Sequence, residues 1–378
     1  MSRLGTLGHK LYSGEVSYNI VGNRKKWYLV SLILIVIAVG GLLFRGLNRG
    51  IEFSGGAEFY VPSQSCSIQD VRGALSEAGV ETATVTEIGD SNIRAQTESM
   101  PQDQSNRVVD NIASVCGVAA DEVSSRDVGP TWGGEITRQA LIALGVYLGA
   151  LVIFLSIYFQ WKMAVAALVA LFHDILITAG IYALVGFEVT PATVIGLLTI
   201  LGYSLYDTVV VFDKVKENTQ GITGQSRYTF SELANLALNQ TLVRSINTSI
   251  VALLPVAAIL FVGAGLLGAG TLKDLALVLF IGMAVGAYSS VFVATPVLCD
   301  LKEREPAMKS LAQRVMKRRA SRGEVPAGSG EADADAATAG AMASGGVAAS
   351  VERRHRQTQT ASGRAQPKRQ SRSQRRNT

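Results

Sequence analysis

Six long apolar runs constrain this chain more than any other feature of its sequence. Each is close to the ~20 apolar residues that a helix needs to cross a bilayer. The runs cover residues 27–44, 139–159, 163–187, 190–212, 242–262 and 273–298. Since 48% of the 378 residues are hydrophobic and only 17% are charged, the sequence predicts a polytopic α-helical membrane protein with six transmembrane helices.

Charges are distributed unevenly along the chain, and this predicts its orientation. Residues 1–26 hold five Lys or Arg and one acid, residues 45–135 hold six Arg and fourteen acids, and residues 301–378 hold seventeen Lys or Arg and seven acids. Positive segments favour the cytoplasmic side of a membrane. We therefore expect a cytoplasmic leader at 1–26, an external segment at 45–135, and both termini in the cytoplasm. The first apolar run has no small-residue cleavage site and is expected to remain as a span of the cell (inner or plasma) membrane.

The segments outside the spans predict one folded domain. Residues 45–135 have the order strand–helix–strand–strand–helix–strand, which is typical of a small split βαβ (ferredoxin-like) α/β domain, with a hairpin signal at 89–92. Residues 136–300 form a five-helix bundle, interrupted by a cytoplasmic connection at 213–241. In that connection Thr229 and Glu232 have capping-box spacing. Residues 301–378 are predicted to be a disordered basic cytoplasmic tail, because their composition supplies no core.

The sequence has three cysteines. Cys66 and Cys116 lie in the external segment, where a disulfide is chemically permitted. If both helices of that domain start at the same end of the sheet, the two thiols lie about 20 Å apart. Two free thiols are therefore the favoured expectation, with a bridge as the alternative. Cys299, at the inner end of the last run, is expected to be a small buried hydrophobic residue.

Several kinds of chemistry lack their residues in this sequence. There is no P-loop pattern, so ATP hydrolysis is not expected. Three scattered His and three Cys give no metal-ligand spacing, and Ser204 has no nearby His to activate it. We expect no catalytic residue, no metal and no cofactor, and therefore no enzyme. The basic tail is explained by orientation and by contact with anionic lipid, without nucleic acid.

Polar residues inside the spans are the candidates for function. A charge at the centre of a membrane helix costs about 2.5–3.5 kcal/mol, so it is a functional-site hypothesis by default. Asp207 and Arg244 are at similar depth on two antiparallel helices and are expected to interact. The alternatives are a purely structural pair, or an Arg244 that extends to the inner headgroups. His173 and Asp174, near the middle of the third span, either relay protons or only tie helices together.

Short motifs in this order resemble the SecD/SecF family of the bacterial protein-export machinery, which is related to the resistance-nodulation-division transporters. They are Gly50–Gly56, Val128–Pro130, His173–Asp174, Gly202–Asn218, Arg244–Ser249 and Gly286–Ser290, and they cover roughly residues 15–300. The family usually has Asn at the position of Tyr206 and Arg at the position of Lys216. Together the motifs are specific, although no single one is.

The resemblance implies roles for individual residues. It implies that Asp207 and Arg244 are a proton-responsive pair, with Asp174 and His173 as further proton-coupling residues. The other motif positions are expected to serve packing and to support this site. They are Gly55, Gly56, Gly202, Ser204, Thr208, Asp213, Asn247, Thr248, Gly286, Ser289 and Ser290.

The resemblance also implies partners and a function. The partners are a SecD-like subunit, the SecYEG channel, SecA and an unfolded preprotein, all at the lipid bilayer. The implied function is to use proton motive force to pull or release preproteins on the outer face after SecA-driven passage. One alternative is a half-size proton-driven exporter of small molecules or lipids from the same superfamily. Another is a scaffold that transports nothing, for which the buried charges would be an unexplained cost.

Overall fold

The computed structural model describes residues 16–62, 66–88, 92–266 and 272–322. Within these residues, six helices are long and apolar enough to cross a membrane, which confirms the predicted number of spans. They are Arg24–Phe44, Thr131–Tyr158, Trp161–Val185, Pro191–Gly224, Phe230–Gly263 and Lys273–Glu303. Each of these helices overlaps one of the apolar runs. The runs have the length of a span because about 20 apolar residues in a helix cross the hydrocarbon layer.

The first helix leads into the small α/β domain. In chain order the elements are α1 (Arg24–Phe44), β1 (Asn48–Arg49), α2 (Ile51–Ser54), β2 (Gly56–Pro62), α3 (Ile68–Glu77), β3 (Ala83–Ile88), β4 (Asn92–Thr97), α4 (Gln102–Cys116) and β5 (Ser124–Val128). Strands β2 to β5 form one antiparallel sheet in the order β3-β4-β2-β5. One strand therefore separates the two strands of each βαβ unit, as in a split βαβ domain. Residues 89–91 of the predicted hairpin turn lie outside the described residues.

The core of this domain lies between the sheet and its two helices. Ala57, Phe59 and Val61 of β2 are 0% exposed, because alternate side chains of a strand point to one face. Val108 and Ile112, one turn apart on α4, are also fully buried. The domain thus has its own compact core, although it is small.

Cys66 and Cys116 form a disulfide with their Cα atoms 4.9 Å apart. The expectation of two separate thiols is wrong, and strand direction explains the error. Strands β2 and β4 are antiparallel, so the helices that follow them start at opposite ends of the sheet. The start of α3, next to Cys66, therefore meets the end of α4, where Cys116 is the last residue.

Removing this disulfide is expected to destabilise the external domain by about 2–4 kcal/mol, because the bridge restricts the unfolded chain between cysteines 50 residues apart. Denaturant unfolding of the Cys66→Ser/Cys116→Ser protein against wild type measures the loss. Alkylation before and after reduction supplies the control. Without reductant, the unfolded wild-type chain should take up one alkyl group, on Cys299. Uptake of three alkyl groups under these conditions would contradict the bridge.

The membrane bundle follows the α/β domain. Its elements are α5 (Pro130–Tyr158), α6 (Trp161–Val185), β6 (Glu188–Val189), α7 (Pro191–Asn218), α8 (Phe230–Ala257), α9 (Lys273–Ser289) and α10 (Thr295–Glu303). Helix α8 continues as a π-helix over Ala258–Leu266, and a second π-helix, Ser290–Ala294, joins α9 to α10. The predicted capping box of Thr229 and Glu232 is present at the start of α8. Cys299 is fully buried, as predicted.

Three helices form the centre of the bundle. The span windows in α6, α7 and α9–α10 are 44–56% buried, whereas those of α5 and α8 are 6% buried. Helices α7 and α9 approach closely through glycines. A Cβ added to Gly282 would lie 2.2 Å from Cδ1 of Ile200, and one added to Gly286 would lie 3.0 Å from Cβ of Ser204. Small residues at such contacts allow membrane helices to pack tightly.

The segment before α1 is held by two asparagines of α8. The backbone N–H of Tyr18 donates to Oδ1 of Asn239 at 2.7 Å. The N–H groups of Ile20 and Val21 donate to Oδ1 of Asn235 at 2.9 and 3.1 Å. The side-chain amides thus satisfy the backbone N–H groups of an irregular segment. They anchor this segment to a helix that lies more than 200 residues later in the sequence.

Residues 306–322 form a helix, α11 (Pro306–Arg322), so the prediction that 301–378 is disordered throughout is wrong for this part. Leu311 and Val315, four residues apart, are fully buried against the bundle. Both guanidinium nitrogens of Arg319 donate to the Glu232 carboxylate, at 2.7 and 2.9 Å. A short apolar stripe and one bidentate ion pair dock this basic helix, together with hydrogen bonds from Arg314 to the backbone oxygen of Thr223 and from Arg318 to Oγ of Ser226. Residues 323–378 lie outside the described residues.

Candidate functional site in the membrane bundle

Two buried carboxylates lie in the central helices. Asp174 is on α6, 13 residues after its start, or about 20 Å along the helix axis. Asp207 is on α7, 16 residues after its start, or about 24 Å along that axis. Asp174 is 0% exposed and Asp207 is 8% exposed. Both are therefore removed from water at a depth where an ionised group is costly.

Asp174 accepts hydrogen bonds from two serines. Oγ of Ser204 donates at 2.6 Å and Oγ of Ser289 donates at 2.8 Å, both to Oδ2. Nδ1 of His173 lies 3.1 Å from Oδ1. The His173 ring is buried beside the ring of Tyr288, and its Nε2 has no partner among the described residues. His173 and Asp174 are therefore in contact, and hydroxyls from α7 and α9 also bind the Asp174 carboxylate.

Asp207 is also held by two serines. Oγ of Ser245 on α8 donates to Oδ1 at 2.7 Å, and Oγ of Ser290 donates to Oδ2 at 2.6 Å. Ser290 is the first residue of the π-helix after α9, and such local widening of a helix is frequent at functional sites. The adjacent residues Ser289 and Ser290 therefore contact different carboxylates.

Serine hydroxyls give this site a particular chemical capacity. A hydroxyl donates to a carboxylate, and after rotation about its C–O bond it accepts from a protonated carboxyl group. Each of the two aspartates can thus keep its hydrogen-bond partners in both protonation states with little movement of heavy atoms. The arrangement suits carboxyl groups that gain and lose protons.

Arg244 does not contact Asp207. Its side chain is exposed on α8, and no ion pair joins it to Asp207 among the described residues. The next residue, Ser245, is 3% exposed and makes the contact instead. Depth along two antiparallel helices was therefore a sound basis for expecting proximity, but consecutive helical residues point about 100° apart. The expectation of an ion pair between Asp207 and Arg244 within this chain is therefore wrong.

The other predicted residues divide into three groups. Ser204, Ser289 and Ser290 belong to the carboxylate site itself. Thr208 donates to the backbone oxygen of Ser204, and Thr248 to that of Arg244, so both bond within their own helices. Asn247 and Asp213 are exposed.

The predicted glycines act by close approach. Gly202 faces the Tyr147 hydroxyl, and Gly286 faces Ser204. Gly55 and Gly56 lie in the α/β domain, where Gly55 has a φ of 75° and a Cβ on Gly56 would lie 2.5 Å from the backbone oxygen of Thr97. These two glycines therefore shape the α/β domain and do not touch the carboxylates.

Ser245 is the residue that sequence reasoning missed. It stands in the motif Arg244–Ser249, where the charged Arg244 drew the functional assignment. Its position could have identified it. Ser245 carries a small hydroxyl side chain and directly follows Arg244, on a helix expected to face Asp207. A helical projection of α8 places Ser245 and Ser249 on the same buried side.

These features define a class: a multi-pass α-helical membrane protein with a small split βαβ domain and paired carboxylate sites in its bundle. Residues 108–304 match the family model described as protein export membrane protein SecD/SecF, C-terminal. The chain is 54% identical to the protein translocase subunit SecF of Streptomyces coelicolor, over 85% of this chain and 86% of that protein. It is 44% identical to SecF of Mycobacterium tuberculosis strain H37Rv, over 85% of this chain and 76% of that protein. The chain belongs to the SecD/SecF family.

Solved structures agree with this assignment. The crystal structure of SecDF from Thermus thermophilus superposes with a TM-score of 0.67 at 31% identity, and the match covers 76% of this chain and 39% of that chain. A second structure, SecDF in its super-membrane-facing form, gives a TM-score of 0.56 at 30% identity. The chain therefore spans less than half of the SecDF proteins that it matches.

Proposed function

We propose that this chain is the SecF subunit of a bacterial Sec protein translocase. Its SecF relatives and its SecDF-like fold support this proposal. The SecDF proteins that match this chain are longer than it is, and their name joins SecD to SecF, which supports a SecD-like partner. SecYEG, SecA and an unfolded preprotein complete the proposed assembly.

The proposed mechanism is proton-driven pulling or release of preproteins on the outer face of the membrane. Asp207 is the carboxylate that takes up and releases the proton, with Asp174 and His173 as a second proton-binding group. The observation that carries this proposal is the burial of two carboxylates whose hydrogen-bond partners in the described residues are serine hydroxyls and one imidazole. A purely structural tie would be better served by a permanent cation, because unpaired buried charge is costly.

Arg244 has a different place in this proposal. It is exposed on α8, and Asn247, one turn later on the same helix, is exposed as well. A guanidinium on the outside of a membrane bundle needs a partner or must reach the headgroups. We assign this surface to contact with the SecD-like subunit, so that Arg244 becomes buried only in the complex.

Inverted membrane vesicles test function and orientation together. Vesicles from cells that lack the protein should regain ionophore-sensitive export when this chain is supplied with its SecD-like partner, and the two should co-purify.

Trypsin added to the same vesicles should remove a C-terminal epitope and spare one at Asn106, because the proposed orientation places the termini in the cytoplasm and the domain inside the vesicle. Export unaffected by the chain, or the reverse protease pattern, would contradict the proposal.

A further inference from the structure

A largely buried charge cluster joins the external domain to the membrane bundle. Arg94 and Gln96 belong to β4 of the domain, whereas Glu188 belongs to β6, between helices α6 and α7. Nη1 of Arg94 lies 2.7 Å from Oε2 of Glu188, and Nε2 of Gln96 donates to Oε1 of Glu188 at 2.7 Å. Both carboxylate oxygens of this bundle residue are thus bound by one strand of the external sheet.

Glu58 on β2 completes the cluster. Nη1 of Arg94 lies 3.3 Å from Oε1 of Glu58, so one guanidinium stands between two carboxylates. The side chains of Glu58, Glu188 and Arg94 are 5, 10 and 21% exposed. Burial raises the pKa of Glu58 above its ordinary value, against the attraction of Arg94. Charges so far from water interact strongly and are sensitive to the loss of one partner.

Glu188 is also tied to the helix that carries Asp207. The side chain of Thr193, in the first turn of α7, lies 3.4 Å from the backbone oxygen of Glu188. Thr190 and Thr193 form the capping box of α7. On the other side, the N–H of Gly50 donates to the backbone oxygen of Val189 at 2.9 Å. A hydrogen-bonded path therefore runs from the start of α7 to the external sheet.

We propose that the contact between Glu188 and Arg94 transmits movement of α7 to the external domain. An α-helix is stiff along its axis, and Asp207 is 16 residues from the start of α7, so a displacement near Asp207 reaches Glu188 with little loss. The charge cluster then carries it into β4 and the sheet. This inference rests on the proposed proton uptake at Asp207 and gives it a route to the outer face. Arg94 and Glu188 are positioning residues in this mechanism.

The variants that test the proposal differ in which contact they remove. Arg94→Met leaves Glu58 and Glu188 without their cation, and Glu188→Gln removes the charge on the bundle side alone. Arg126→Met is the matched control, because it makes the same change at an arginine of the same sheet whose side chain is 61% exposed and pairs with Glu52, outside the cluster. All are made in the full chain, assembled with its SecD-like partner.

The measurement is a distance distribution between spin labels on engineered cysteines at Asn106 of α4 and Gln220, just after α7, together with ionophore-sensitive export. Both positions are exposed, whereas Cys299 is buried and the other two cysteines are bridged. Wild type and Arg126→Met should give one narrow distribution and full export. Arg94→Met and Glu188→Gln should broaden the distribution and lose export, while the amount of assembled complex stays normal.

Several outcomes would overturn the inference. A narrow distribution in both Arg94→Met and Glu188→Gln would show that other contacts hold the domain. A broad distribution with wild-type export would show that the contact is structural and transmits nothing. Failure of the proposed function has a different signature, since Asp207→Asn would then export like wild type whatever the spin-label distances show.

Discussion

Replacing Asp207 with Asn is expected to reduce proton-driven export to the level of cells that lack the protein. The amide keeps the shape of the side chain and can still bond to Ser245 and Ser290, which lie 2.7 and 2.6 Å from the carboxylate oxygens. It cannot bind and release a proton. The variant should insert and assemble normally, because a neutral amide costs less in a bilayer than a charge. Export into inverted vesicles, with and without an ionophore, measures the effect.

Glu217→Gln is the matched control for this experiment. It makes the same chemical change near the end of the same helix, but the Glu217 side chain is 66% exposed and pairs with Lys214 at the surface. A surface ion pair of this kind contributes little, so the control should export like wild type. Full ionophore-sensitive export by Asp207→Asn would remove the residue from the mechanism. Loss of export in both variants would point to a general effect of altering α7.

Truncation after Arg304 is expected to destabilise the end of the bundle against which α11 packs and to lower the amount of assembled complex. It removes α11, whose Leu311 and Val315 are fully buried. At about 1.5–3 kcal/mol for each fully buried aliphatic side chain, their loss amounts to about 3–6 kcal/mol. Glu232 would also lose its bidentate contact with Arg319. Thermal unfolding in detergent and quantitative immunoblotting of the membranes give the two readouts.

Truncation after Arg322 separates the contribution of α11 from that of residues 323–378. This shorter deletion keeps every contact of α11 that the structure describes, and it removes only a segment whose composition predicts no core. The variant should assemble and export near normally. If the two truncations behave alike, α11 contributes nothing by its packing, and the stabilising role assigned to Leu311 and Val315 is wrong.

The spans and the order of the external elements could be predicted because they depend on short-range patterns. A run of about 20 apolar residues is both necessary and nearly sufficient for a membrane helix, and the segment 45–135 alternates or repeats with the period of its strands and helices. Asp174 and Asp207 could be identified for the same reason, since a carboxylate inside such a run is conspicuous. These inferences need no knowledge of which elements touch.

The errors arose where the prediction needed relative direction or rotation. The disulfide of Cys66 and Cys116 depends on the directions of two helices that follow antiparallel strands. The contact at Asp207 depends on the rotation of α8, which brings Ser245 inward and leaves Arg244 outside. Sequence position fixes depth along a helix, but packing against neighbours fixes its rotation.

The docked helix α11 was missed for a third reason. Its strongly basic composition is typical of a solvated tail, and that signal masked a weak apolar stripe. Met308, Leu311 and Val315 are spaced by three and four residues, which is the helical pattern. Leu311 and Val315 pack against the core of the bundle, and this contact helps to order the segment.

The anchoring of residues 18–21 by Asn235 and Asn239 has a consequence for how the protein is made. The partners are 214 to 221 residues apart in sequence, so the N-terminal segment leaves the ribosome long before its asparagines exist. At about 5–20 residues per second, that interval is roughly 10–45 s. During this time α1 must reside in the bilayer without this attachment to α8. Docking of the N-terminal segment is therefore a late event in biogenesis, which becomes possible only once the start of α8 has been synthesised.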